Sequence, residues 1–201
     1  MHRFFLLALT ALASANPAPQ GFSSPKSGGT GKYGPVSYAV SPQFPGYTVY
    51  VPPKANGEKL PVILWANGMC SDDGSGFSSF LLEVSSHGYI IVANGSPGSG
   101  MSKQAGQDKM KKALDMVEKQ AGTGVLANAD TSRIAAAGQS CGGMNTYLMA
   151  NEPRIKCIGI FDGARGAAKF KAPVGFFVGG TSDMAWSPVS FWNLHYIDKL
   201  T

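Results

Sequence analysis

The sequence has few of the residues that build metal, nucleotide or nucleic-acid sites. Its 201 residues include three cysteines and three histidines, and their spacing matches no zinc motif. No glycine-rich loop opens a helix with the lysine that a phosphate-binding loop requires. Charged residues make up 14% of the chain, and no basic cluster is interleaved with aromatic residues. These absences argue against metal, nucleotide and nucleic-acid binding, and we expect no cofactor.

Long apolar runs are also missing. The apolar run at residues 4–11 is too short to span a bilayer. It follows His2 and Arg3 and precedes an A-x-A pattern at residues 13–15, so residues 1–15 are predicted to be a signal peptide. A buried helix is the alternative, but the Pro/Gly/Ser-rich residues 16–34 follow directly and are predicted to be flexible. We therefore expect a secreted, extracellular protein.

Length and composition fit one packed domain, predicted at residues 35–201. The hydrophobic content is 44%, and the net charge of +5 is mild and dispersed. The densest basic patch is Lys109, Lys111 and Lys112 on a predicted helix, which favours a solvated helix face over a polyanion site.

Strand and helix patterns alternate along the domain. Strands are predicted at residues 37–40, 47–51, 61–66, 89–93, 134–137, 157–161 and 174–178. Helices are predicted at residues 76–87 and 107–120, and a third follows Gly143 and ends before Pro153. The first two strands form an antiparallel pair at a sheet edge. This order predicts an α/β fold with a mostly parallel, doubly wound sheet and helices on both faces.

The most informative stretch is residues 138–142, Gly-Gln-Ser-Cys-Gly. A G-x-S-x-G pattern between a strand and a helix is typical of a nucleophile elbow. In such a turn, Gly138 and Gly142 permit close strand–helix contact, and Ser140 projects its hydroxyl above the sheet. The backbone N–H of Cys141 is then one oxyanion donor. The alternative is a glycine-rich turn with a chance serine, because the chain contains 26 glycines.

Four phrases in one order resemble a known family: PVILWANGMCS, SHGYIIVANGSPG, DTSRIAAAGQSCGG and FFVGGTSDMAW. They resemble the α/β-hydrolase fold, and more closely the secreted fungal serine hydrolases of the cutinase-like, polyester-hydrolase and dienelactone-hydrolase kind. The resemblance covers residues 35–186. It implies a Ser–acid–His triad and hydrolysis of small or polymeric esters through an acyl-enzyme.

Several residues match the positions of the family's site. Ser140 matches the nucleophile, and Asp183 matches the acid, with a plain turn residue as the alternative. Asp162 is the reserve acid, although an aspartate before a glycine favours a turn. By position, the N–H of Met69 is the second oxyanion donor beside that of Cys141.

No histidine matches the family's base. His2 lies in the predicted leader, and His87 ends a helix far from the elbow. His195, twelve residues after Asp183, is the remaining candidate. Residues 187–201 do not resemble the family, so we hypothesise a truncated chain that lacks the last strand and helix. The alternative function is an inactive relative with a binding role, or a defective product.

An odd number of cysteines leaves at least one unpaired. Cys157 lies in an apolar run and is predicted to be a buried small residue. If the resemblance holds, Cys70 and Cys141 both lie beside the oxyanion site, and a disulfide between them is one hypothesis. A redox role for Cys141 at a helix N-terminus is another, but it has no C-x-x-C partner. The sequence indicates no oligomeric state.

Overall fold

The computed structural model describes residues 26–100, 107–163 and 170–179. Within these ranges eight strands form one sheet: β1 Ser27–Gly28, β2 Val36–Ala39, β3 Tyr47–Val51, β4 Leu60–Ala66, β5 Ile90–Asn94, β6 Ala129–Gln139, β7 Ile155–Phe161 and β8 Val174–Phe177. The α-helices are α1 Ser78–Ser86, α2 Gln107–Gln120 and α3 Cys141–Leu148, and two 3₁₀ turns span Gly68–Cys70 and Gly124–Leu126. Within the same ranges, no helix has both the length and the hydropathy to cross a bilayer.

The sheet is mixed but mostly parallel. Its strand order is β1-β2-β3-β5-β4-β6-β7-β8. The strands β5, β4, β6, β7 and β8 run parallel, whereas β1, β2 and β3 pair antiparallel at one side. The predicted α/β class, the parallel sheet and the antiparallel edge pair are thus confirmed.

Helices pack on both faces of the sheet, as predicted. On β5, Ile90 and Val92 pack in the core beneath α2 and α3, while Ile91 and Ala93 pack in the core beneath α1. Side chains of a strand alternate between faces, so the continuous apolar run of β5 is buried on both sides of the sheet. The apolar face of α2 has the expected helical spacing, and four of its side chains are fully buried: Met110, Ala113, Leu114 and Val117.

Part of the segment predicted to be flexible is packed against α1. Strand β1 pairs with β2, and the N–H of Tyr33 donates to the carbonyl oxygen of Ser86 at 2.9 Å. A Cβ at Gly31 would lie 2.3 Å from that same oxygen, so glycine is what lets this backbone approach the helix. The prediction of flexibility therefore does not hold for residues 26–34, and residues 1–25 lie outside the described residues.

Cys157 is exposed, so the prediction that it is buried was wrong. On β7 its neighbours Ile158 and Ile160 belong to the buried core beneath α3, but Cys157 points to the other face. On that face α1 packs against β1, β2, β3 and β5. An apolar run therefore did not guarantee burial on both sides of this strand.

Candidate functional site

Ser140 occupies a sharp turn between β6 and α3. Strand β6 ends at Gln139, and α3 begins at Cys141, so a single residue makes the connection. Its φ of 52° and ψ of −116° are rarely adopted by a residue with a side chain. The N–H of Ser140 donates to the carbonyl oxygen of Phe161 on the neighbouring strand β7 at 2.8 Å. The turn is thus both strained and anchored to the sheet.

The two glycines that flank Ser140 are required by backbone contacts. A Cβ at Gly142 would lie 2.0 Å from the carbonyl oxygen of Ala66 at the end of β4. A Cβ at Gly138 would lie 2.5 Å from the carbonyl oxygen of Gly142. Both distances are below any real carbon–oxygen contact, so neither position accepts a side chain without moving α3.

The loop after β4 places a second set of amides at the same edge of the sheet. Met69 and Cys70 are consecutive non-glycine residues with left-handed backbones, at φ 55° and 50°. Met69 lies in a 3₁₀ turn, and Cys141 is the first residue of α3. The first N–H groups of a helical turn have no partner inside it, so both amides can donate to an external anion.

A disulfide between Cys70 and Cys141 joins these two amide-bearing segments, with Cα atoms 5.2 Å apart. This is the pairing that the sequence left open. It crosslinks residues 71 positions apart and ties the loop after β4 to the first turn of α3. A thiolate redox role for Cys141 needs this bond to be broken first.

Asn67 fixes the loop after β4, a role that the sequence reasoning missed. Its side chain is buried, and its Oδ1 accepts from the indole Nε1 of Trp65 at 3.0 Å. Its Nδ2 donates to the carbonyl oxygens of Asn94 at 2.7 Å and Ser71 at 3.2 Å. The sequence feature that could have indicated this role is the Asn-Gly pair directly after a buried strand.

Gln139 was also missed, although it precedes the predicted nucleophile. Its Oε1 lies 2.0 Å from where a Cβ of Gly68 would be, so the side chain packs against the loop after β4. Its Nε2 lies 3.5 Å from Oδ2 of Asp162. Asp162 follows β7 with a left-handed φ of 47°, and its N–H donates to the carbonyl oxygen of Phe177 at 2.8 Å. The reserve acid is therefore at the Ser140 edge.

The loops after β4 and β5 are held together by charged residues. Burial would raise the pKa of Asp73, but hydrogen bonds from the Ser75 hydroxyl and from the N–H groups of Gly98 and Ser75 outweigh it, and the pKa is lowered. Lys109 pairs with Asp72. Lys111 and Lys112 are exposed, whereas Lys109 is mostly buried, so the prediction of a solvated helix face holds for the first two lysines but not for Lys109.

The acid and the base of the predicted triad lie largely outside the described residues. Asp183 and His195 both fall in residues 180–201. His87 caps the C-terminal end of α1 and contacts Glu83 at 2.9 Å. It precedes β5 and so lies at the opposite end of the parallel strands from Ser140. Within the part of the chain that the structure describes, no histidine stands at the Ser140 edge.

The described residues contain no group of three or more side chains that could hold a metal ion. No protein-family model matches this chain, and no curated protein matches it. The site must therefore be interpreted from its own geometry.

The cysteine pairing predicts the number of free thiols. In urea without reductant, we expect one thiol per chain to react with iodoacetamide, because only Cys157 is unpaired. After reduction three should react. In Cys157→Ser the two counts should be zero and two, as measured by intact mass. Three reactive thiols before reduction would show that the disulfide does not form.

The backbone contact at Gly142 predicts a loss of stability on adding one methyl group. Gly142→Ala should lower the free energy of unfolding by about 1–3 kcal/mol, because the clash with Ala66 outweighs the better helix propensity of alanine. Gly76→Ala is the control, since its Cβ would meet only an ordinary contact at 3.4 Å, and it should change stability by less than about 0.5 kcal/mol. Equal effects in urea unfolding would contradict the proposed packing.

Proposed function

We propose that this chain is a secreted serine hydrolase of the α/β-hydrolase kind, which cleaves carboxylic esters through an acyl-enzyme on Ser140. The observation that carries the proposal is the strained turn at Ser140 between a parallel strand and a helix. Backbone strain of this kind costs about 1–3 kcal/mol and is concentrated at functional sites. A chance serine in a glycine-rich turn has no need of such a conformation.

In the proposed reaction, Oγ of Ser140 attacks the ester carbonyl carbon and passes its proton to a base. The carbonyl oxygen becomes an oxyanion, which accepts hydrogen bonds from the N–H groups of Met69 and Cys141. Collapse of this intermediate expels the alcohol, protonated by the base, and leaves an acyl-serine. Water then releases the acid by the same steps.

The disulfide contributes to this chemistry by fixing the two donors before the substrate arrives. It joins the residue after Met69 to Cys141 itself, so the two amides belong to one covalent unit. Donors that need no rearrangement stabilise a developing charge more effectively than mobile ones. Removing a single oxyanion donor typically costs about 10²–10³ in rate.

We assign the acid to Asp183 and the base to His195. Asp162 is the second candidate for the acid, because it follows β7 at the same edge as Ser140. The second candidate function is a catalytically inactive relative with a binding role. It is favoured by one observation, namely that no histidine among the described residues stands at this edge.

Replacement of the nucleophile tests the proposed function. Ser140→Ala should abolish turnover of p-nitrophenyl acetate and labelling by a fluorophosphonate probe, because no other hydroxyl occupies the turn. Ser132→Ala, an exposed serine near the other end of β6, should leave both unchanged. Retained labelling in Ser140→Ala would disprove the assigned nucleophile. Unlabelled wild-type protein that is folded would favour the inactive relative.

The assignment of the base predicts a separate kinetic result. His195→Ala should lower kcat by about 10⁴ or more with little change in KM, because a serine without its base is a weak nucleophile. Activity that persists unchanged in His195→Ala would show that another group accepts the proton. The measurement requires a wild type that turns over the ester in the preceding experiment.

A further inference from the structure

One face of the sheet is only partly covered within the described chain. On the α1 side, helix α1 packs against β1, β2, β3 and β5 and reaches β7 where the ring of Phe80 meets that of Phe161. The part beyond this contact, on β6, β7 and β8, is called the open face below. Its residues are Ala137, Cys157, Gly159, Phe161, Gly175 and Phe177.

The opposite face of the same strands is well packed. There Ile158 and Ile160 are buried beneath α3, and Phe170 and Phe176 pack against the same core. On the open face, by contrast, Cys157 is exposed and the ring of Phe177 is 52% exposed. This difference in exposure is not caused by composition, since both faces carry apolar or small residues. It depends on which elements pack over each face.

The open face is an aromatic surface rather than a polar one. The rings of Phe161 and Phe177 stack with centroids 4.4 Å apart and planes 10° apart. Each ring lies back over the glycine two residues earlier, because a Cβ at Gly159 or Gly175 would meet it at 3.4 or 3.2 Å. The ring centroids of Phe161 and Trp65 are 5.8 Å apart, so the surface is continuous with the core under α1. Such a surface gains free energy when an apolar segment covers it.

We propose that residues 180–201 of this chain pack over the open face. The segment starts three residues after the end of β8, at the edge of that face. It carries two of the three tryptophans of the chain together with Phe191 and Tyr196, and only three charged residues. It therefore supplies the apolar and aromatic side chains that the stacked rings would contact.

Length and tethering favour this segment over a second copy of the chain. From β8 to β6 is two strand spacings, about 10 Å, which 22 residues span in either a helical or an extended conformation. A covalently attached segment also acts at a high effective concentration, which a second copy in dilute solution does not reach. The proposal does not require Ser140 to be catalytic, so its failure and that of the proposed function are independent.

The test is site-specific photo-crosslinking in the full chain. p-Benzoylphenylalanine is placed at Cys157 in one variant and at Lys112 of α2 in the other. Both positions are exposed, but α2 packs on the opposite face of the sheet from the open face. On irradiation at low micromolar concentration, position 157 should crosslink to peptides within residues 186–201 of the same chain, and position 112 should not. Crosslinks between two chains, or none to residues 186–201 from position 157, would overturn the proposal.

A second measurement uses the native thiol as the reporter. Replacing Trp186, Phe191 and Trp192 together by serine should speed alkylation of Cys157 in the folded full chain by about tenfold or more, because the covering segment is released. Far-UV circular dichroism checks that the sheet is retained. An unchanged alkylation rate in a folded variant would contradict the proposal as directly as a missing crosslink.

Discussion

The first turn of α3 lies against the end of β4 at backbone distance, and the geometry of the site depends on this contact. A Cβ at Gly142 would meet the carbonyl carbon of Ala66 at 2.4 Å as well as its oxygen. With the helix this close, the chain must reverse within one residue after β6, which places Ser140 in its strained conformation. The same approach brings Cys141 within disulfide distance of Cys70. The strained turn, the disulfide and the pairing of the two amides therefore all follow from the close contact between α3 and β4.

The surrounding loops show that this edge of the sheet is built as a rigid unit. The side-chain amide of Asn67 makes three hydrogen bonds. Two of them go to backbone carbonyl oxygens, one after β4 and one at the end of β5. The carboxylate of Asp73 accepts from Gly98 in the loop after β5. Buried polar groups are costly unless they are satisfied, so these contacts hold the loops in one arrangement. A loop held in this way keeps its amides directed without reorganisation, which is the condition for oxyanion binding.

The sequence predicted those features that repeat locally and missed those that depend on neighbours in space. The apolar period of α2 gave its bounds at residues 107–120, and the antiparallel pair followed from its turn residues. Strand β1 is two residues long and has no pattern to detect. Strand β6 begins at Ala129 rather than residue 134, because Ala129 and Asp130 pair with Leu60 and Pro61 of β4 before the register shifts to Ile134. The exposure of Cys157 and the contacts of Gln139 are set by other elements, which no local pattern reports.

Both proposals involve residues 180–201, which are proposed to cover the open face and to supply the acid and the base. The open face is bounded by Phe161, whose carbonyl oxygen also holds the N–H of Ser140. Phe161 lies on β7, which is one strand spacing, roughly 4.8 Å, from β6, and β6 ends one residue before Ser140. Residues 180–201 carry Asp183 and His195. Covering the face and delivering a base to the turn are therefore separable requirements on one stretch of chain, and satisfying the first does not guarantee the second. A chain that meets only the first is a stable fold with an unactivated serine, because positioning of the imidazole needs hydrogen-bond geometry that apolar packing alone does not supply.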